Sequence, residues 1–404
     1  KDHFFVTGKA GTGKSTLLQL FRKTTGKKVV VLSPTGISAL NVQGQTIHSF
    51  FQFPPKLMHQ GEIFINKRLV RLLSALDAII IDEVSMVRAD VLDAIDFSLK
   101  LHRKSVAPFG GVQMLFFGDL FQLPPVVSSQ EEREYFRTVY PSPYFFDAHI
   151  FKSHVHLVMI ELTRVYRQRE RNFIQLLDAI RTMQFDYEEL DSLNERYLPD
   201  EPIEEPYLTL CSTNAAAQQI NKDRLALLTT PSFYYSGEVK GDFNPKLFPT
   251  DYKLELRLDG QVMLIRNDPE KRFVNGSLAR IVGLEEEKII VSMTSDGGKS
   301  EVFELPKMTW EVNKYTLSTD TDNPIKAEVI GSFIQYPVRL AWAVTIHKSQ
   351  GKTYERVAID LGRGAFEHGQ TYVALSRCTS LNGVFLKKPL TPRDIMVDER
   401  VAEF

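Results

Sequence analysis

Gly8-Lys9-Ala10-Gly11-Thr12-Gly13-Lys14-Ser15 fills every fixed position of G-x-x-x-x-G-K-[ST], a spacing suited to gripping a polyphosphate. Glycines without a Cβ let phosphate oxygens reach successive backbone N–H groups, and a helix N-terminus behind them adds partial positive charge. Lys14 would reach the β- and γ-phosphates, and the Ser15 hydroxyl would ligate Mg²⁺. The apolar run Ala78-Ile79-Ile80-Ile81 ends in Asp82-Glu83. After a phosphate loop, Asp82 would hold the metal shell and Glu83 would orient the attacking water as base; without one, the pair would merely line a loop. Gln122, in Gly118-Asp119-Leu120-Phe121-Gln122-Leu123-Pro124-Pro125, could sense a γ-phosphate by donating its amide N–H₂.

Such groups need a strand, a turn and a helix to hold them. Phe4-Phe5-Val6-Thr7 supplies the leading strand, and Leu17, Leu18, Leu20 and Phe21 share a helical face expected to pack under a sheet. Val29-Val30-Val31-Leu32 and Met114-Leu115-Phe116-Phe117 are continuous apolar runs of the kind buried on both faces of a parallel sheet. Ser33-Pro34-Thr35-Gly36 and Gly118 onward break them at the carboxyl edge, where ligands of open α/β sheets gather. Thr46-Ile47-His48-Ser49-Phe50-Phe51 would suit phosphate bonding and base stacking, or else form an amphipathic strand. Val87, Val91, Leu92, Ile95 and Leu99 recur at helical spacing and read as core.

Composition shifts after Tyr140-Pro141-Ser142-Pro143, so a first domain is placed at residues 1–162, with an aperiodic excursion at about 52–67. Residues 163–230 open a second domain with Thr163-Arg164-Val165-Tyr166-Arg167-Gln168. Thr213 and Asn214 there would cap a helix, contact phosphate, or both. Residues 231–337 carry Gly, Pro and Asn between short alternating segments and read as an inserted β-barrel or meander. Residues 338–404 return to α/β texture, with Thr345 to Gly351 and a short helix, Tyr372 to Arg377, presenting Arg377 to solvent or to a partner surface.

At 404 residues the chain is long for one core, and its 43% hydrophobic and 25% charged content excludes disordered and fibrous classes. The sequence has neither a run of roughly 20 apolar residues nor a basic-then-apolar leader. The expectation is therefore an intracellular protein without a membrane span. Cys211 and Cys378 are the only cysteines, so neither a disulfide framework nor a thiolate zinc site is expected. A formal charge of −1 excludes a uniformly basic nucleic-acid binder. Any strand contact must then be a local groove. Candidate clusters are Arg22, Lys23, Lys27 and Lys28; Lys67, Arg68 and Arg71; and Arg164, Arg167, Arg169 and Arg171, each a solvated face if taken alone. The first strand starts almost at residue 1 with no initiator Met, as expected of a trimmed fragment.

The order of these motifs resembles a superfamily 1B, RecD-like helicase core, most closely the PIF (petite integration frequency) DNA helicases, over nearly the whole chain. Gly8 to Thr16, Asp82 to Met86, Gly118 to Pro125, Thr345 to Gly351 and Tyr372 to Cys378 carry the likeness. Asp90 to Gly111, with Pro108-Phe109-Gly110-Gly111, resembles the signature region of that group. The resemblance implies an α/β fold of two RecA-like P-loop NTPase domains, with a small wedge-bearing excursion in the first and an SH3-like barrel inserted in the second. It implies ATP held by Gly11, Thr12, Gly13, Lys14, Ser15 and Thr16, with Gly351 and Lys352 at the site's edge. Ser15 and Asp82 would hold Mg²⁺, Glu83 would position water, Gln122 would couple to the γ-phosphate, and Arg167 and Arg377 would act across the cleft. Single-stranded DNA would run over Pro34, Thr35, Gly36, His48, Ser49 and Phe50, then over Thr213, Asn214, Thr345, His347, Lys348 and Ser349. The family's glutamine-bearing, adenine-reading segment has no counterpart here.

The implied activity is ATP-dependent 5′-to-3′ translocation on single-stranded DNA with duplex unwinding, and G-quadruplex or RNA–DNA hybrid as further substrates. The resemblance also implies a monomeric core acting at single-strand/duplex junctions in DNA repair, recombination and telomere maintenance. Its compartment would be a bacterial cytoplasm, or a nucleus or mitochondrion. Two rival readings stay open: a P-loop metabolite kinase, and an ATP-gated clamp that binds nucleic acid without unwinding it.

Overall fold

The computed structural model describes residues 2–152, 155–198, 207–294, 300–317 and 325–404. The chain divides into two compact units, one of residues 1–166, 311–331 and 398–404, the other of residues 167–310 and 332–397.

The first unit is built on a six-stranded parallel sheet. Its strands are β1 (His3–Gly8), β2 (Val29–Ser33), β3 (Gln45–Thr46), β4 (Ala78–Ile81), β5 (Gln113–Phe117) and β6 (Leu157–Leu162), in the order β3-β2-β4-β5-β1-β6. Ile79, Ile80 and Ile81 of β4 are fully buried, as continuous β-branched runs require when helices cover both faces. Register places Leu32 beside Ile81, Ile81 beside Phe116 and Val6 beside Phe117. The residues that follow, Ser33, Asp82, Gly118 and Gly8, therefore share the carboxyl edge. Around the sheet lie α1 (Lys14–Thr24), α2 (Gly36–Asn41), α3 (Ile47–Phe51), α4 (Lys67–Ser74) and α5 (Ala89–Arg103). On α1 only Leu18 is fully buried, while Leu17 and Leu20 face solvent. The expected four-residue apolar face is thus narrower, because one turn of so short a helix meets the sheet.

Two distant segments join this unit, which corrects the expected boundaries. Residues 311–331 were expected inside the 231–337 insert, yet Tyr315 is buried in the first unit. Its hydroxyl accepts from Val31 N at 3.1 Å, its own amide donates to Gln45 Oε1 at 3.1 Å, and its ring meets Phe50 edge-on at 5.9 Å. Because β3 has only two residues, the Val31 amide needs this partner. Residues 398–404 were expected in the second domain. Phe404 instead stacks on Phe146 at 4.4 Å, and Arg400 pairs with Asp147 at 2.6 Å. The first unit also extends past the expected end at Leu162, since Tyr166 N donates to Gly11 O at 2.9 Å.

The second unit contains a four-stranded parallel sheet in the order Ala343–Thr345, Leu208–Cys211, Val357–Asp360, Val384–Leu386. Its β-rich part holds an antiparallel sheet ordered Ser300–Glu304, Lys288–Thr294, Leu278–Glu285, Gln261–Leu264, Val338–Leu340. Phe333 stacks on Phe248 at 4.4 Å in its core, and Gly237 is required there because a Cβ would lie 2.5 Å from the Phe333 ring.

Candidate nucleotide and strand sites

In the first unit the chain leaves β1 through Gly8 (φ 143°), Gly11 (φ 80°) and Gly13 (φ 87°) and enters α1 at Lys14. These are left-handed backbones that suit glycine. Gly8 is also sterically fixed, since a Cβ there would lie 2.5 Å from Leu162 O. Lys14 Nζ donates to the carbonyls of Gly8 (2.6 Å) and Lys9 (3.0 Å), curling over the loop, and Thr12 Oγ1 donates to Lys9 O at 2.9 Å. Ser15 and Thr16 lie exposed on the first turn of α1.

At the end of β4, Asp82 is buried and Glu83 takes a left-handed conformation (φ 52°) that starts the turn Val84–Met86. Burial, and then the neighbouring Glu83 carboxylate, push the Asp82 pKa up to about 7, against the pull of Lys14. Two carboxyls held close with one reluctant to ionise are a place where a cation is stabilising. The donors fit Mg²⁺, a hard ion that takes one or two protein oxygens and leaves the rest to water and phosphate. Among the described residues no group of three or more His, Cys, Asp or Glu side chains could hold a metal alone. Gln122 Nε2 donates to Asp119 Oδ2 at 3.2 Å, and its amide donates to Asp119 O at 3.0 Å. Asp119, given no role from sequence, thus holds the glutamine. The available signal was an acid one glycine beyond an apolar strand, close to the place Asp82 takes after β4.

Strand-contact residues of this unit fall into two groups. Thr35 caps α2 by accepting from Ser38 N at 3.2 Å, with Pro34 and Gly36 beside it on the carboxyl edge. Thr46 caps α3, which carries His48 and Ser49 and replaces the amphipathic strand considered from sequence. Burial, and then Arg88, lower the His48 pKa. Phe50 does not fit the expected base-stacking role: it is 3% exposed, wedged edge-on between Phe51 (4.9 Å) and Tyr315 (5.9 Å). Its ring belongs to the core.

In the second unit Thr213 caps the helix Asn214–Ala226, accepting from Ala216 N at 3.3 Å, and Thr345 caps Ile346–Ser349. Lys348 is exposed, and His347 Nε2 lies 2.9 Å from Glu367 Oε2. Ser349 is fully buried and donates to Ile346 O at 2.6 Å, so its hydroxyl is not available to a strand. Gly351 has φ 77°. The Lys352 ammonium lies 3.5 Å from Met263 Sδ, and burial, Arg339 and Lys348 lower its pKa to about 7.

Arg377 was expected on a helix that presents it outward. The helix is Gln370–Leu375, and Arg377 just beyond it is 1% exposed, donating through Nε to Val373 O at 2.9 Å and through Nη2 to Ser376 Oγ at 3.0 Å. Arg167 Nη1 donates to Ser376 O at 2.9 Å, and burial and Arg377 lower its pKa to about 9. The two guanidiniums thus share one corner and repel each other. Gln168 Nε2 donates to Ser376 O (3.1 Å) and Cys378 O (2.7 Å), a tie that no sequence motif announced.

A family model described as PIF1-like helicase matches residues 1–189. The ATP-dependent DNA helicase Pif1 of Campylobacter jejuni is 31% identical over 94% of this chain and 88% of its own length. The human ATP-dependent DNA helicase PIF1 is 32% identical over 99% of this chain, which spans 60% of that relative. The chain belongs to the PIF1-like helicases. A Bacteroides Pif1 structure in complex with ADP-AlF4 matches it with TM-score 0.90 and 38% identity, covering 100% of this chain and 92% of that one. The same relative bound to single-stranded DNA matches with TM-score 0.70 at 39% identity.

In this PIF1-like helicase the region from Asp90 to Gly111 is scaffold. The acids of α5 at 90, 93 and 96 are all buried, and each fastens a loop or a short 3-10 turn. Asp90 accepts from Met58 N (2.9 Å) and pairs with Arg88 (2.7 Å). Asp93 accepts from Tyr140 OH, His149 N and Ile150 N, each at 3.0 Å. Asp96 accepts from Phe109 N at 2.7 Å, which holds the turn Pro108–Gly111. Sequence spacing places these acids on the helix but does not name their partners.

Proposed function

We propose that this chain is an ATP-dependent DNA helicase that translocates 5′ to 3′ on single-stranded DNA. The carrying observation is the carboxyl edge of the first unit, where the phosphate loop, Lys14, the Asp82–Glu83 pair and the Asp119-held Gln122 follow adjacent parallel strands. Family membership and relatives named as ATP-dependent DNA helicases support the same reading.

In this reading Lys14 leaves the carbonyls of Gly8 and Lys9 for the β- and γ-phosphates, and the loop amides take the remaining oxygens. Ser15 and Asp82 would hold Mg²⁺, which would supply neutralisation of the triphosphate's charge. Glu83 orients the attacking water and receives its proton. Arg167 and Arg377 complete the stabilisation of the transferring phosphoryl, a contribution of about 10³ to 10⁵ in rate in related NTPases. Grips on strand phosphates in each unit would let cycles of ATP binding and hydrolysis drive movement along the strand. Thr35, His48 and Ser49 on one unit and Thr213, His347 and Lys348 on the other are the grips.

Residues 52–67 serve as the wedge. Phe64 (77% exposed) and Ile65 (61%) project from a base pinned by Asn66, whose amide donates to His102 Nε2 at 3.1 Å and whose side chain donates to Gln52 at 3.1 Å. The β-rich part of the second unit is the SH3-like insert, and the protein works as a monomer at junctions inside the cell. The test is strand displacement on 5′- and 3′-tailed duplexes beside ATPase rate with and without single-stranded DNA. DNA-stimulated turnover with displacement only from the 5′ tail is expected. Turnover without displacement would identify a clamp, and DNA-independent turnover would refute the motor.

A further inference from the structure

In the cluster Lys67, Arg68 and Arg71, only Lys67, the last residue of the wedge segment, falls within a role above. The cluster lies on α4, which begins one residue after the pinned Asn66 and three residues after the exposed Phe64. The Asn66 side chain caps α4 by accepting from Arg68 N at 2.9 Å, so the cations sit on an ordered element. Leu69, Leu72 and Leu73 bury the opposite face of α4, which leaves the three cationic heads on the outside. Among the described residues none of the three makes a side-chain ion pair or hydrogen bond.

These cations border a cavity of about 450 Å³ closed on its other side by Thr316, Leu317 and Glu328. Among the described residues Glu328 is the one acid in this lining; it pairs with Lys326 at 2.7 Å and also feels the charge of Arg68. Excess positive charge at a groove, with an exposed aromatic, Phe64, three residues before its first cation, is the composition of a surface that tracks single-stranded nucleic acid. The volume falls in the range of small-ligand clefts, about 300 to 1,000 Å³, enough for a phosphate backbone with few nucleotides but too little for a duplex. In this unit the grips on the tracking strand come from other elements, α2 and α3.

We infer that Lys67, Arg68 and Arg71 hold the phosphates of the displaced strand, the one that leaves the junction on the far side of Phe64 and Ile65. The inference rests on the helicase reading for which strand is displaced, but the groove's affinity for a flap can be measured without nucleotide or unwinding. Two phosphate contacts should contribute about 1.4 to the log–log salt slope, at about 0.7 per phosphate on single strands.

The experiment compares binding of the whole chain, by fluorescence anisotropy, to a duplex with a 5′ tail alone and to the same duplex with an added 3′ flap. The wild type should bind the flapped fork several-fold more tightly. Arg68→Ala with Arg71→Ala should abolish that preference, lower the salt slope on the fork by about 1.4, and leave single-strand affinity and single-strand-stimulated ATPase unchanged. Glu328→Gln, which removes the acid from the groove, should raise the preference. No flap preference in the wild type, or a preference that survives in the double variant, would each overturn the inference. A flap preference abolished by the variant in a protein that displaces no strand would sink the helicase reading and leave the groove standing.

Discussion

The backbone amide of Tyr166 donates to the Gly11 carbonyl at 2.9 Å, tying the segment just before Arg167 to the phosphate loop. The bond needs only a backbone N–H at residue 166. Tyr166→Ala keeps that donor and should leave kcat/KM for ATP within about twofold of wild type. Tyr166→Pro removes it and should lower kcat/KM about tenfold, the factor expected when about 1.4 kcal/mol of positioning is lost. Equal kinetics in the two variants would show that the tie has no catalytic consequence.

Glu83→Gln keeps the shape at the end of β4 and removes the base. ATP affinity should be preserved while the hydrolysis rate falls about 10² to 10⁴-fold, read by nucleotide binding beside single-turnover hydrolysis. Lys14→Ala should instead weaken both.

Arg377→Lys tests whether the planar fork matters. A lysine keeps the charge but cannot reproduce the bonds to Val373 O and Ser376 Oγ together. DNA-stimulated kcat should fall about 10³-fold with little change in ATP binding. An unchanged kcat would remove Arg377 from the chemistry.

Asp93→Ala should destabilise the first unit by about 3 kcal/mol, because Tyr140 OH, His149 N and Ile150 N lose a shared acceptor where water cannot replace it. Calorimetry should show an earlier transition for this unit, with nucleotide affinity per folded molecule unchanged.

His3 predicts an acid dependence of stability. Its Nδ1 accepts from Met114 N at 3.0 Å, its ring meets Phe109 edge-on at 5.0 Å, and burial above all lowers its pKa from 6.5 to about 4. Protons therefore bind the unfolded chain first. The contribution of His3 is complete above pH 6.5 and is lost as the pH falls toward 4. Urea midpoints for wild type should drop over that window more steeply than for His3→Gln, and parallel curves would assign the acid sensitivity elsewhere.

The phosphate loop, the strands on either side of it and the Asp82–Glu83 pair were legible in the sequence. Each is a local pattern: glycines where the backbone turns left-handed, and apolar runs of strand length ending in polar residues. Spacing along the chain suffices when the interacting groups are neighbours in it. The cap at Thr213 was readable for the same reason.

Tertiary structure alone decided the rest. Phe50 looked fit for stacking on a base until Tyr315, far along the chain, closed over it. Leu17 and Leu20 share the helical period of Leu18, but only Leu18 meets the sheet. The acids of α5 read as helix positions, and their partners at Met58, Phe109 and Tyr140 to Ile150 could not be named in advance. Backbone conformation follows from nearby residues because sterics and capping act within a few positions. Burial and hydrogen-bond partnership depend on which distant segment arrives to exclude water, and a linear pattern does not encode that arrival.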